Sequence, residues 1–405
     1  MFSFKNFYFI IFINLNNNYC CKNCCCCKNK KYSNNNNDDD EKKFKSNVEF
    51  IKKEDVEKLI DPNFNLETKR DVFEKRYNEF KNDFEKVKNL LENDLKYNYL
   101  NNEPHFPHIH WNGNVNNSYK LLCFMIAPLN VILHLDKIKE FFKSNPKPKD
   151  NNLKDINEVY WYIYNSYWID VFRLYVERLE NGYSFTLDPQ KDKDGNPKYI
   201  FELGLFGKAN EIESLQVSNN FFKSVINKYI HNYKFLNIDF TDFDSVGLFE
   251  SKDIIEYQEI IDQFVKIQKG KEDNFDIIYL ATQKMIAREK DSNFNDQKNN
   301  IKEYMDQISI NNIKEKFNYA GNTYHLEGLV YFGTNSNKLE DNGNDCFSFV
   351  YDKNATDKSK PYVYCQLNCP MKYYSLKEIE EGMKPDKTNI SSYKYHHLIA
   401  CAYSK

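Results

Sequence analysis

The stretch Tyr119–Phe142, YKLLCFMIAPLNVILHLDKIKEFF, governs how the rest of the chain is read. It sets one cysteine, Cys123, at the mouth of a long apolar run whose hydrophobic residues recur at helical spacing. Pro128 constrains that helix, because proline lacks an N–H and is comfortable only in a first turn. A helix starting near Ile126 leaves Cys123 just ahead of its N-terminus, whereas one starting at Cys123 carries Pro128 inside it. A cysteine beside an apolar helix is ordinarily a small buried hydrophobe. It becomes a nucleophile when a helix N-terminus favours the thiolate and a histidine stands by as base.

Upstream, residues 66–97 carry Phe73, Tyr77, Phe80, Phe84, Val87 and Leu91 at alternating four- and three-residue steps, with charged and amide residues between. That seam predicts a helix of about three heptads, and its many aromatics suit packing onto a globular body better than a tight coiled coil. Pairing with a helix-mediated partner is the other reading. Between this helix and Cys123, Pro104 and Pro107 break the pattern, and His105, His108 and His110 read as surface-loop histidines, since no ligand-spaced cysteine or carboxylate accompanies them. Downstream, Pro146 and Pro148 mark a loop, and Val159–Leu179 reads as a second aromatic-rich helix ended by Asn181-Gly182.

Beyond Gly182 the pattern turns strand-like, with apolar runs at Tyr199–Phe206, Phe235–Phe240, Asp276–Ala281, Tyr324–Phe332, Cys346–Tyr351, Tyr362–Leu367 and His396–Tyr403. A helix is expected at Ile254–Ile267 and a polar insertion over 286–322. Helices first and an antiparallel sheet afterwards is the order of an α+β domain. The segmentation is then a low-complexity tail over 1–45, a charged helical extension over 46–107, and a folded domain over 108–405.

The 405 residues carry 56 Lys+Arg against 59 Asp+Glu, a balance that offers no electrostatic case for nucleic acid. No run reaches the length of a transmembrane helix. Residues 7–13 match a secretory apolar core in length, but no small-residue cleavage site follows, so cytoplasmic and secreted readings both stay open. Asn116, Asn354 and Asn389 are glycosylation sequons only in the secreted case. Six of the 11 cysteines crowd together at Cys20, Cys21, Cys24, Cys25, Cys26 and Cys27, a tract open to acylation, metal-binding or plain low-complexity readings.

The order of these segments resembles the ubiquitin-specific protease family of papain-like cysteine peptidases. The family's box GNTCYMNSxLQxLxHLxxxxxFF is similar, without a gap, to CFMIAPLNVILHLDKIKEFF from Cys123 onward. Its QQDAxEFLxxLLDxL box resembles NSYWIDVFRLYVERL, Asn165–Leu179, with Asp170 on the glutamate. Its LPxxLxxHLKRF strand resembles NFDIIYLATQKM, Asn274–Met285, and its YxLxaVixHxG block resembles YHLEGLVYFG, Tyr324–Gly333. The Gly-His-Tyr strand falls on Asp345-Cys346-Phe347 and the last strand on His397–Tyr403. The likeness spans about residues 108–403. It implies a papain-like fold with a helical thumb and an antiparallel palm and fingers, with Cys123 at the nucleophile position and ubiquitin or a ubiquitin-like protein as partner.

The departures bear on chemistry. The family's oxyanion asparagine falls on Ser118, with Asn117 one step away. Its base histidine falls on Cys346, and the residue that orients the base falls on Asn368 or Cys369. The zinc-bearing members hold the metal through CxxC pairs in the fingers, and this chain has no cysteine between Cys123 and Cys346, so neither metal nor cofactor is expected. The resemblance therefore implies a divergent, catalytically impaired domain that binds ubiquitin or a related tail. The alternatives are an active cysteine deubiquitinase and a non-enzymatic interaction protein acting through the 66–97 helix.

Overall fold

A computed structural model describes residues 44–93, 106–110, 123–146, 152–186, 190–191, 197–198, 235–239, 275–281, 313–335, 345–365, 372–384, 390–391 and 393–405. The Cys20–Cys27 tract, the helix expected at Ile254–Ile267 and the strand expected at Tyr199–Phe206 lie outside these residues.

All six seam residues are buried on helix α2 (Arg70–Asn93), which packs along helix α5 (Ile156–Glu180). The aromatic seam thus faces the body of the same chain. Phe80 alone meets Tyr160, Tyr164 and Tyr167, with ring centroids 5.8, 6.2 and 5.7 Å away. Each such pair adds about 0.5–1.5 kcal/mol beyond the area it buries. Helix α5 starts at Asp155, whose carboxylate accepts the N–H groups of Asn157 and Glu158 at 2.7 and 3.0 Å. It stops where Gly182 takes φ +86°, a conformation glycine adopts without a Cβ clash. Its buried residues lie on every side, as in a helix enclosed by neighbours.

Residues 44–52 run extended across the α2–α5 pair before the short helix α1 (Lys53–Glu57). Phe44, Ser46, Val48 and Phe50 are buried and the residues between them exposed. An extended segment beside helices has no ladder to satisfy its backbone, and an unpaired buried group costs about 1–3 kcal/mol. Side chains of the two helices supply the partners. Tyr77 donates its hydroxyl to Ile51 O (2.7 Å), Lys88 donates to Val48 O (2.9 Å), Asp170 accepts the Ile51 N–H (3.2 Å), and Glu92 accepts the Ser46 N–H (2.9 Å).

Arg178 gathers these parts. It is fully buried near the end of α5. Its guanidinium donates to the Ser184 carbonyl through Nε (3.1 Å) and Nη2 (2.9 Å) and to the Leu91 carbonyl through Nη1. Leu91 lies in the last turn of α2, where helical carbonyls run short of intrahelical donors. The aromatic faces of Phe44 and Tyr183 lie 5.4 and 5.7 Å from the cation.

The sheet has the strand order β11-β10-β9-β8-β12-β6-β5: β11 (Tyr373–Tyr374), β10 (Tyr362–Cys365), β9 (Asp345–Tyr351), β8 (Asn322–Thr334), β12 (Tyr395–Ser404), β6 (Ile277–Ala281) and β5 (Phe235–Asp239). All these neighbours pair antiparallel except β5 and β6, which are parallel. The α+β class expected from segment order therefore holds, with one parallel pair at an edge. Alternate residues divide between two cores. Val330, Phe332, Cys346 and Val350 pack on the helices, while Leu329, Tyr331, Phe347 and Phe349 form an aromatic cluster on the other face.

Several elements were not anticipated. Strand β7 (Lys316–Tyr319) lies within the expected insertion and forms a hairpin with β8. Helix α6 (Leu376–Gly382) is opened by a capping box between Ser375 and Glu378. Short strands β1 (Ile109–His110) and β2 (Phe185–Thr186) pair in parallel. Strands β3 (Gln190–Lys191) and β4 (Pro197–Lys198) form a separate small hairpin pair.

Replacing Arg178 by Met leaves the Leu91 and Ser184 carbonyls buried without their donor, so the urea unfolding free energy is expected to fall by about 3 kcal/mol or more. Arg178→Lys keeps the charge but not the planar fork, and should recover only part of that loss. The β7–β8 turn places Ala320 at φ +46° and Gly321 at φ +79°. Ala320→Asn relieves the left-handed strain at the first of these positions and should raise stability by about 0.5–1 kcal/mol in the same assay.

Candidate functional site

Helix α3 (Cys123–Ile132) begins at Cys123 and carries Pro128 within it, the second of the two arrangements its sequence allows. The long helix expected through Phe142 is in fact two, because α4 (Asp136–Lys143) starts afresh after a break. At the break Leu135 is extended (φ −65°, ψ 124°), and the His134 ring is wedged between carbonyls. Its Nδ1 lies 2.6 Å from Asn130 O and its Nε2 2.8 Å from Pro107 O. Burial, reinforced by nearby Lys139, lowers the His134 pKa to about 3.

The segment leading toward Cys123 is held by the same helix. The buried Asn130 side chain accepts the Ile109 N–H (2.7 Å) and donates to the Ile109 carbonyl (3.0 Å), which is the pairing a neighbouring strand would offer. His108, expected on a surface loop, is instead buried. Its backbone N–H donates to Ser184 Oγ at 3.0 Å, and its Nδ1 lies 2.9 Å from Phe106 O. The run around it is drawn inward by Phe106 and Ile109, two core residues on either side of Pro107-His108.

Helix α3 lies on the sheet and packs most extensively on β9. The contact is close at Gly328 of β8, where an added Cβ would stand 2.6 Å from Val131 Cγ1 and 3.1 Å from Phe349 O. Cys346, the second residue of β9, is 5% exposed and belongs to the core that faces the helices. Its register partner on β8 is Phe332, whose partner on β12 is His397. Cys346, Phe332 and His397 thus form a line across three strands, and the His397 ring lies 6.3 Å from that of Phe332. Two strand spacings put the backbones of Cys346 and His397 about 10 Å apart.

Of the residues singled out by sequence, Cys123 is placed as a backbone position and Cys346 as a buried thiol. Asn117, Ser118 and Asn368 lie outside the described residues. Asp170 is buried in α5, where Arg173 pairs with it at 2.9 Å and the Ile51 N–H donates to it. There it anchors the extended N-terminal segment. His397 does not fall on the base position of the resemblance, and its place in line with Cys346 is set by strand register, which one sequence does not display. Among the described residues no group of three His, Cys, Asp or Glu side chains is arranged to hold a metal, and no helix is long and apolar enough to cross a membrane.

The remaining strand histidines point elsewhere. His325 is exposed on β8. His396 faces the second core, where its Nε2 meets the Ser391 hydroxyl and its ring lies 6.1 Å from Phe347. Burial lowers the His396 pKa to about 4, against a small upward pull from the Met383 backbone. Both His134 and His396 bind protons more weakly when folded than the ordinary 6.5 of the unfolded chain. Their contribution to stability is therefore present above pH 6.5 and is lost as the pH falls through 4 toward 3. The urea midpoint should drop over that interval, and His396→Gln, compared with its own pH 7 value, should flatten the upper part of the slope.

No family model and no curated protein matches the chain. Among solved structures, a crystal structure of an essential yeast splicing factor is similar over 70% of this chain and 67% of that chain, at 8% identity and a TM-score of 0.37.

Proposed function

We propose that the chain is a divergent ubiquitin-specific-protease-like domain that holds the C-terminal tail of ubiquitin, or of a related protein, without efficient turnover. One observation carries this reading: the helix that starts at Cys123 lies on the strand that starts at Asp345-Cys346. That is a nucleophile-bearing helix laid on the strand where the family carries its base. A thiol stands where an imidazole would act. A thiol does not both take up a nucleophile's proton near neutral pH and return it to a leaving amine, as an imidazole does. Loss of one member of such a set lowers turnover by about 10⁴-fold or more while leaving binding contacts in place.

A second reading, an active isopeptidase with a relocated base, draws on His397, the imidazole in line with Cys346 on the helix-facing side of the sheet. Three measurements separate the two. The full chain is treated with ubiquitin bearing a C-terminal electrophile, with a ubiquitin amide substrate, and with unmodified ubiquitin in a direct binding assay. The first reading expects saturable binding of unmodified ubiquitin with no more amide turnover than Cys123→Ala gives. Turnover that needs Cys123 and is lost in His397→Gln establishes the second. Neither binding nor adduct overturns both.

A further inference from the structure

We infer that the groove between the opening turns of α2 and α5 is a self-association surface, in which a second copy of this chain seats its Trp161 side chain. The residues involved are ones that the proposed function does not use.

Among the described residues, Val72 and Trp161 are the large hydrophobic side chains left exposed, at 47% and 53%. Apolar groups scattered singly over a surface need no explanation, but these two belong to one face. Val72 of α2 and Tyr160 of α5 line a single groove of about 270 Å³, with the buried Phe73, Val159 and Ile163 beneath them. The Trp161 ring stands beside it, edge-on to Tyr160 and Tyr164 with centroids 5.5 and 5.2 Å away. Pockets that enclose a small-molecule ligand run to about 300–1,000 Å³. This groove is smaller, with room for a single aromatic side chain.

Charge names the occupant. Arg76 also lines the groove, and its guanidinium lies over the Tyr160 ring, 5.6 Å from the centroid. Its Nη1 donates to Glu79 at 2.8 Å in an exposed pair of the weakly held kind, so the fork keeps donors for a second carboxylate. One turn back from Trp161 on α5 is the exposed Glu158. One of its oxygens accepts the Lys154 N–H at 2.6 Å, and the other has no partner among the described residues. The same face thus carries a ring with a carboxylate next to it and a groove with a guanidinium next to it. A two-fold axis brings residue i of one copy to residue j of the other, and j to i, which turns these features into two identical contacts. Trp161 of each copy fills the groove of the other, and Glu158 of each meets the other's Arg76. Trp and Arg are residue types in which interface energy concentrates. A partner of different sequence has to supply both a ring and a carboxylate at this spacing, and a second copy already has them.

The test is sedimentation equilibrium of the full chain at concentrations up to about 100 μM. The expected result is a monomer–dimer equilibrium within that range, and Trp161→Ala should raise the dimer dissociation constant by about tenfold or more. Arg76→Glu and Glu158→Arg each set like charges against one another at both contacts, so each variant alone should be monomeric. Mixed in equal amounts, the two variants present opposite charges at both contacts and should form a heterodimer. Recovery on mixing is peculiar to this reciprocal contact, because poor folding of one variant is not repaired by the other. The unaltered protein and Trp161→Ala decide the matter even if a charge variant folds poorly. Unaltered protein that stays monomeric throughout, a dimer that Trp161→Ala or either charge variant leaves intact, or charge variants that stay monomeric when mixed overturns the inference.

Discussion

Arg178 is the constraint on which the helical half of this protein depends. A guanidinium with no exposed surface is tolerated only where its donors find acceptors, and here the acceptors are the backbone carbonyls of Leu91 and Ser184. One side chain closes the open end of α2, fixes the turn after α5 and stacks on Phe44 at the start of the extended segment. The side chains that satisfy the extended segment's backbone come from the same two helices. The α2–α5 pair and the segment laid across it are therefore mutually dependent: each provides groups the others would have to bury unpaired.

The sheet depends on a different constraint, close packing beneath α3. A glycine at position 328 admits Val131, and Asn130 of that helix together with His134 just beyond its end hold the chain around Pro107–Ile109. Helix α3 thereby becomes the fixed point between the segment that precedes Cys123 and the strand that carries Cys346. Polar groups facing this interior (Cys346, Ser348, Cys365, His397) sit among aromatic and aliphatic neighbours. Burial raises the pKa of the Cys365 thiol, which keeps it protonated.

Much of the architecture was legible in the residues. The α2 seam was readable residue by residue because one-sided burial imposes the helical period on an otherwise polar segment. Strands β8, β9, β10 and β12 were readable because both faces of the sheet are covered, so their apolar runs are dense. Strand β7 escaped notice because it is four residues long in a polar stretch, although the Ala-Gly pair at its turn marked a hairpin. Helix α6 escaped although Ser375 and Glu378 spell out a capping box. The break between α3 and α4 was hidden inside a continuous apolar pattern, since the ring that produces it bonds to a carbonyl 27 residues away.

By itself the sequence determined helices α2 and α5 and strands β8, β9, β10 and β12, and that a thiol stands at position 346. Those properties follow from local periodicity and residue identity. Only the tertiary structure decided that the seam packs within the chain, that Arg178 and His108 are buried, and that Cys346, Phe332 and His397 share one line across the sheet. Burial and strand register are relations between residues distant in sequence, and they exist only once the chain has closed on itself.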